Sequence, residues 1–190
     1  MNRHTAILIA GSILTLDVSL ARPAAAQPVL LPVYLTVSNQ AAVPADVMAV
    51  AVAEVIRIYA AIGVTVVWTD DVSRVGGRSL FVSIIPERLS RRNVRVSALG
   101  TAIVGGTLAS VVFERVERFS LTWGNNLRMT LGHAIAHEMG HLLLGDGSHA
   151  AEGLMRARWD LVDARIAAVG RLLFTSAEAA RIRKDLAARQ

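Results

Sequence analysis

The feature that most constrains the fold is the stretch of residues 134–144, A-I-A-H-E-M-G-H-L-L-L. One glutamate and two histidines interrupt an otherwise apolar run, and the run is long enough for a helix. Histidine and glutamate side chains are costly to bury unless they have partners. The chain must therefore fold around an apolar helix whose few polar side chains serve a purpose.

The spacing of these polar side chains indicates a zinc site. His137 and His141 are four residues apart, so both imidazoles project from the same face of the helix, one turn apart. Imidazole nitrogens bind Zn²⁺ at about 2.0–2.1 Å. Glu138 lies beside the first ligand, where it is placed to accept a proton from a metal-bound water. An amphipathic helix with a polar stripe is the alternative, but it leaves Glu138 unexplained.

His133 lies one further turn before His137 on the same helix face. Three histidines on one straight helix cannot all reach one tetrahedral ion. We therefore expect His133 to be a neighbouring or surface group, and the third protein ligand to come from elsewhere.

A known family combines these features. The segment resembles the metzincin metalloproteases, in which H-E-x-x-H-x-x-G-x-x-H is followed by a tight turn that bears a methionine. His137, Glu138 and His141 match the motif, and Met155 in G-L-M-R matches the methionine turn. The resemblance implies that Met155 lies beneath the metal, whereas an ordinary core methionine is the alternative. We interpret the chain as a divergent, bacterial-type secreted member of this group.

The chain departs from the family pattern between these anchors. The family places its glycine seven residues and its third histidine ten residues after the first histidine, where this chain has Leu144 and Gly147. Gly145 and His149 stand one and two residues later than that pattern requires. The glycine-rich segment between them is flexible enough to bring His149 back to the metal.

His149 is accordingly the predicted third ligand, since imidazole is the commoner third ligand in this motif. Asp146 is the main rival, because it lies closer to the expected position and some metzincin-like enzymes use aspartate there. Glu152 and Glu178 are further alternatives. Glu178, however, completes the capping-box pattern T-S-A-E, which begins at Thr175 and precedes a C-terminal helix.

The remaining chain predicts an α+β protein with a twisted mixed sheet. A helix is predicted from Pro44 to Gly63, and Asn125 or Asn126 is expected to cap the motif helix. The first helix lies between two apolar runs, which indicates a right-handed crossover and a parallel strand pair. The predicted strands are residues 29–37, 64–68, 80–85, 98–104 and 109–116, and 64–68 and 80–85 are apolar enough to be covered on both faces. This order resembles the metzincin (zincin) fold, with an N-terminal helix, an active-site helix and a small C-terminal helical subdomain.

The N-terminus predicts a secretion signal over residues 1–26. Arg3 and His4 precede an apolar core over residues 6–20, interrupted only by Asp17, and three alanines at 24–26 offer a cleavage site. A buried N-terminal helix is the alternative. Residues 27–190 are then one domain, with the sheet and active-site helix in 27–145 and the third ligand, methionine turn and last helix in 146–190. We expect a secreted or periplasmic protein without stable membrane insertion.

The composition argues against two other kinds of site. The net charge of +5 comes almost entirely from arginine, but no arginine run exceeds two residues and no aromatic residues interleave with a basic stripe, so nucleic-acid binding is not expected. Cysteine is absent, which excludes disulfides and zinc–thiolate ligation.

The resemblance implies a zinc-dependent endopeptidase with one catalytic ion, acting on peptide or protein substrates as a monomer. Glu138 would activate a zinc-bound water, and an edge strand, residues 98–104 or 109–113, would pair with the extended substrate. Arg156 and Trp159 would shape a specificity pocket, although Trp159 also suits a core position. The alternatives are a secreted zinc-binding domain without proteolytic activity and a zinc amidase that acts on cell-wall amides.

Overall fold

Five strands form one mixed sheet in the computed structural model, which describes residues 32–70, 78–90, 98–147 and 149–188. The predicted signal peptide therefore lies outside the described residues. The spatial order of the strands is β2-β1-β3-β5-β4. Their bounds are β1 Val33–Asn39, β2 Val66–Trp68, β3 Ser79–Ile85, β4 Gly100–Ala102 and β5 Leu108–Val112.

All neighbouring strands are parallel except β4 and β5. Val33 of β1 pairs with Val66 of β2, so the predicted crossover between parallel strands is confirmed. β4 pairs antiparallel with β5 through a turn at Gly105, whose φ of 73° favours glycine. In the part of the chain that the structure describes, β4 is therefore the strand at one edge of the sheet.

The sheet buries mainly one of its faces. Leu80, Val82 and Ile84 of β3 are buried, whereas the residues between them, such as Phe81 and Ser83, are only half-buried. The prediction that 64–68 and 80–85 are covered on both faces is therefore wrong for this strand. Its outer face carries apolar side chains that are only half-buried. A continuous apolar run in the sequence does not distinguish such a strand from one that is buried on both faces.

Five α-helices accompany the sheet in the described ranges, and the predicted asparagine cap and capping box are both present. The side chain of Asn126 accepts a hydrogen bond of 3.0 Å from the backbone N–H of Arg128 at the start of α3. Thr175 and Glu178 exchange the two bonds of a capping box at the start of α5. The helices are α1 Ala45–Ala60, α2 Phe113–Trp123, α3 Leu127–Leu144, α4 Leu161–Ala168 and α5 Ser176–Ala188.

The prediction of a strand over residues 109–116 is wrong beyond Val112. The chain turns into α2 at Phe113, and the buried residues Phe113, Val116 and Ser120 recur at helical spacing. The apolar run of β5 continues into Phe113, the first residue of this helix. Hydrophobicity therefore does not mark the residue at which the strand ends and the helix begins. The short helix α4 was likewise not predicted; it is capped by Asp160, whose side chain accepts from Val162 and Asp163.

The α3 helix is the buried centre of the fold. It packs against α1 on one side and against β3, β4 and β5 on another. Tyr59 of α1 is fully buried, and its hydroxyl donates a 3.0 Å hydrogen bond to the carbonyl of Ala136. None of the helices in the described ranges is long and apolar enough to cross a membrane.

Gly132 sets the distance between α1 and α3. A methyl group there would lie 2.7 Å from Cβ of Glu54 and 2.8 Å from the carbonyl oxygen of Ala51, which is a backbone atom. The two helices therefore approach too closely for any side chain at this position.

We expect Gly132→Ala to lower the free energy of unfolding by about 1–3 kcal/mol, since overpacking outweighs the gain of about 1 kcal/mol in helix propensity. Chemical denaturation of the purified variant measures this. Gly147→Ala is the matched control, because its methyl would meet only Cγ2 of Val104 at 3.5 Å, an ordinary contact. Equal stability of both variants and the parent would contradict this account of the helix contact.

Candidate metal centre

Three histidines come together at the end of α3. His137 and His141 project from the helix, and His149 comes from the loop that follows it. One ring nitrogen of each lies within 4.8 Å of the others. His149 is exposed while His141 is buried, so the cluster opens to solvent on the side of the loop.

Two backbone features bring the loop back toward α3: the helix ends at a left-handed glycine, and a hydrogen bond holds the chain just after His149. Gly145 adopts a left-handed conformation with φ of 69°, and its N–H bonds to the carbonyl of His141. Ala150, the residue after His149, donates its N–H to the carbonyl of Met155 at 3.0 Å. These two contacts bring His149, five residues after the end of the helix, back beside it.

The tautomers of the two helical histidines favour a bound cation. Nδ1 of His137 bonds to the carbonyl of Leu154 at 2.7 Å, and Nδ1 of His141 bonds more weakly to the carbonyl of Asp146 at 3.3 Å. A carbonyl only accepts, so each Nδ1 carries the proton and each Nε2 carries a lone pair. The two Nε2 atoms lie 3.1 Å apart. Two lone pairs at that distance repel each other unless a cation lies between them. Two converging lone pairs of this kind are the donors that a metal ion requires.

Burial keeps both imidazoles in the form that binds metals. Desolvation lowers the pKa of His137 to about 3, against the opposing hydrogen bond to Leu154. Desolvation and the neighbouring His149 also lower the pKa of His141. Both rings are therefore neutral near pH 7, with their Nε2 lone pairs available.

Glu138 lies in the cleft beside the cluster with an unsatisfied oxygen. The residue is 5% exposed, and its Oε2 is buried with no hydrogen-bond partner among the described residues. Desolvation raises the pKa of its carboxyl to about 8. A buried carboxylate that the protein leaves unpaired is a strong proton acceptor.

A wall for Glu138 is provided by Gly100 of β4, a residue that the sequence analysis did not single out. A methyl group at Gly100 would lie 2.7 Å from Oε1 of Glu138 and 2.5 Å from the carbonyl oxygen of Ser110. The edge strand and the carboxylate therefore lie too close together for any side chain at position 100. A single glycine in a short strand carries no sequence signal for this role.

Met155 lies against the helix between the two histidines. It is 1% exposed, and a methyl at Gly140 would meet its Sδ at 2.5 Å and the ring of Phe174 at 3.0 Å. The methionine and the glycine therefore pack as a pair. Met155 thus supports the ligand-bearing turn of α3 from the core side.

Trp159 shares a hydrogen-bond acceptor with His137. Its Nε1 donates to the carbonyl of Leu154 at 3.1 Å, the same oxygen that accepts from Nδ1 of His137. The indole also lies edge-on to the His137 ring, with 5.7 Å between centroids. Trp159 is half-buried, packs against the core and lines the cleft.

The structure places the other candidate ligands outside the cluster. The carboxylate of Asp146 pairs with Nη1 of Arg181 at 2.7 Å, while Glu152 is exposed and Glu178 caps α5. His133 is fully buried, which rules out the surface position considered for it, and its Nε2 lies 3.4 Å from Oε1 of Glu54. Burial lowers its pKa.

The cluster opens into a cleft of about 740 Å³. One wall is the edge strand β4 with the residues before it, and another is the segment after Met155. The cleft is within the usual size range of ligand sites and combines apolar side chains with a few convergent polar groups.

Solved structures share this arrangement of elements. A zinc-dependent peptidase from Methanocorpusculum labreanum is 13% identical, with a TM-score of 0.55, and the alignment covers 78% of this chain and 99% of that one. The archaemetzincin from Methanopyrus kandleri is 14% identical, with a TM-score of 0.58 and coverage of 82% and 96%. The fold is archaemetzincin-like. The predicted metzincin-like fold class is thereby confirmed.

The archaemetzincin-like fold also matches the Archaeoglobus fulgidus archaemetzincin complexed with malonate, at 13% identity, with a TM-score of 0.50 and coverage of 78% and 99%. No protein-family model and no curated protein matches the sequence. At these identities the likeness concerns the fold, so the chemistry of the site depends on the residues of this chain.

We expect His149→Ala to weaken zinc binding more than about a hundredfold, because it removes one of three convergent nitrogens. Competition titration of metal-free protein with a chromophoric chelator measures the affinity. Asp146→Ala is the matched loop control and should change the affinity less than about tenfold, since the backbone carbonyl that bonds His141 is retained. The opposite ranking would make Asp146 the third ligand.

Proposed function

We propose that this protein is a zinc-dependent peptidase. The observation that carries the proposal is the orphaned carboxylate of Glu138 beside three convergent imidazoles in an open cleft. His137, His141 and His149 would hold one Zn²⁺ ion. When bound, zinc supplies a Lewis acid that polarises a carbonyl and lowers the pKa of a water molecule toward neutrality.

Glu138 performs the proton transfers in this proposal. Beside a bound cation its carboxyl would be ionised despite the burial. It then accepts a proton from the attacking water and delivers that proton to the departing amine. A purely structural metal site would need no such base beside it and would leave no open side. The position of Glu138 therefore favours hydrolysis over a binding role.

The edge strand β4 provides a place for an extended peptide. Of the two strands considered from the sequence, β5 lies between β3 and β4 and has no free edge, whereas β4 lines the cleft. A substrate that pairs with the open side of β4 would pass close to Glu138, because that carboxylate lies against the strand at Gly100. Backbone pairing of this kind accepts many sequences, which suits a peptidase more than an amidase for one small amide.

The N-terminal pattern of residues 1–26 supports export, so we place this peptidase in a secreted or periplasmic setting.

We expect Glu138→Gln to lower kcat for peptide hydrolysis by about a hundredfold or more while zinc remains bound, because the amide has the shape of the carboxylate but cannot accept the proton. Turnover of a quenched fluorescent peptide library and the metal content of the same sample measure both effects. Hydrolysis by Glu138→Gln at the parental rate would contradict the proposed mechanism. Bound zinc with no hydrolysis of any peptide by the parent protein would favour a binding-only role.

We expect Gly100→Ala to lower kcat/KM by roughly tenfold through displacement of Glu138, with zinc affinity little changed. A double-mutant cycle with Glu138→Asp provides the control. The shorter carboxylate relieves the contact with residue 138 but not the 2.5 Å contact with the Ser110 carbonyl, so the second substitution should cost less, though not nothing, in the Glu138→Asp background. Strict additivity of the two losses would show that Gly100 acts only through the strand.

A further inference from the structure

Two arginines lie in the part of the cleft wall that follows Met155. Only one of them is paired with carboxylates of the protein. Arg156 pairs through Nη1 with Oδ2 of Asp160 at 2.7 Å and with Oδ2 of Asp163 at 2.6 Å. Two carboxylates therefore neutralise this guanidinium and hold it at the start of α4. Arg156 is part of the structure of the wall.

Arg158, two residues later, has no such partner. It is exposed, it lines the same cleft, and it makes no ion pair or side-chain hydrogen bond with any residue in the described ranges. Of the 15 acidic residues in the sequence, only Asp17 and Asp71 lie outside those ranges. Nearly all carboxylates of the chain therefore lie in the described ranges, and none of these pairs with Arg158.

The surroundings strengthen the field of this charge within the cleft. The neighbouring lining residues Phe119, Ala157 and Trp159 are apolar or aromatic, and Val104 lines the cleft as well. Low-dielectric walls concentrate the potential of an unmatched charge. A planar guanidinium, in turn, offers paired N–H donors that fit the two oxygens of a carboxylate.

We propose that Arg158 binds a carboxylate of the peptide substrate and so determines specificity. This inference rests on the proposed peptidase function and deepens it. The carboxylate has two sources, an acidic side chain near the cleaved bond or the free C-terminus of a short peptide. Both present the same chemistry to the guanidinium.

Matched peptide pairs test the proposal. Glutamate and glutamine are exchanged at each position around the cleaved bond of quenched fluorescent peptides, and kcat/KM is measured for the zinc-loaded protein. We expect glutamate to be favoured roughly two- to fivefold at one position, the range of a partly exposed ion pair. Arg158→Gln should abolish that preference, and Arg158→Glu should reverse it, so that the glutamine peptide becomes the better substrate.

Arg165→Gln is the control for overall charge. Arg165 is an exposed arginine of α4 that does not line the cleft, and its replacement removes the same unit of charge. It should leave the glutamate preference unchanged. An equal loss of preference in both variants would overturn the assignment to Arg158, as would a glutamate preference that survives in Arg158→Gln.

A second pair of peptides identifies the source of the carboxylate. Peptides with a free C-terminal acid are compared with their C-terminal amides in the parent and in Arg158→Gln. A preference for the acid that depends on Arg158 assigns the residue to the substrate terminus, whereas dependence only in the glutamate series assigns it to a side chain. No Arg158-dependent preference in either series overturns the proposal.

Binding to the Glu138→Gln variant separates this inference from the proposed function. Anisotropy of labelled glutamate and glutamine peptides measures affinity without turnover, and direct ligation of the carboxylate by zinc would not respond to a change at Arg158. An Arg158-dependent affinity difference together with no cleavage by the parent would retain the carboxylate site and reject the peptidase. Cleavage by the parent without any such difference in affinity would retain the peptidase and reject the carboxylate site.

Discussion

The hydrogen bond from His137 to the carbonyl of Leu154 connects the two halves of the site. His137 belongs to the buried helix α3, and Leu154 belongs to the turn that bears Met155. Because the carbonyl fixes the proton on Nδ1, it also directs the Nε2 lone pair toward His141. The position of the turn, the tautomer of the histidine and the electrostatics of the cluster therefore depend on one another. Trp159 adds a second donor to the same oxygen, so the arrangement is held from both sides.

Small residues allow this centre to be packed so closely. Gly132 brings α1 against α3, Gly140 admits the sulfur of Met155, and Gly100 lets the edge strand touch Glu138. At each place a single methyl group would collide with a neighbouring heavy atom. A functional centre inside a dense core requires backbone approaches of this kind, because side chains would otherwise hold the elements apart.

The sequence predicted the elements with strong local signals and missed those without. The motif helix, the crossover and the capping box at Thr175 rest on periodicity and cap chemistry, which act within a few residues. The α2 helix was missed because the apolar run of β5 continues into Phe113, so the change of period has no boundary in hydrophobicity. Gly100 and the Leu154 carbonyl were missed because their roles depend on distant chain segments that no spacing records.

The sequence by itself determined that His137, Glu138 and His141 share one helix, because an i, i+4 spacing in an apolar run places two imidazoles on one face whatever the rest of the chain does. It left open whether His149 or Asp146 joins them. Only the tertiary structure decided which side chain approaches the pair: α5 brings Arg181 to the Asp146 carboxylate, and the Ala150–Met155 backbone bond holds His149 beside the two helical histidines. The first contact joins residues 35 positions apart, and the second depends on how the turn before Met155 folds back. The choice is therefore made by tertiary contacts, which spacing along the chain does not encode.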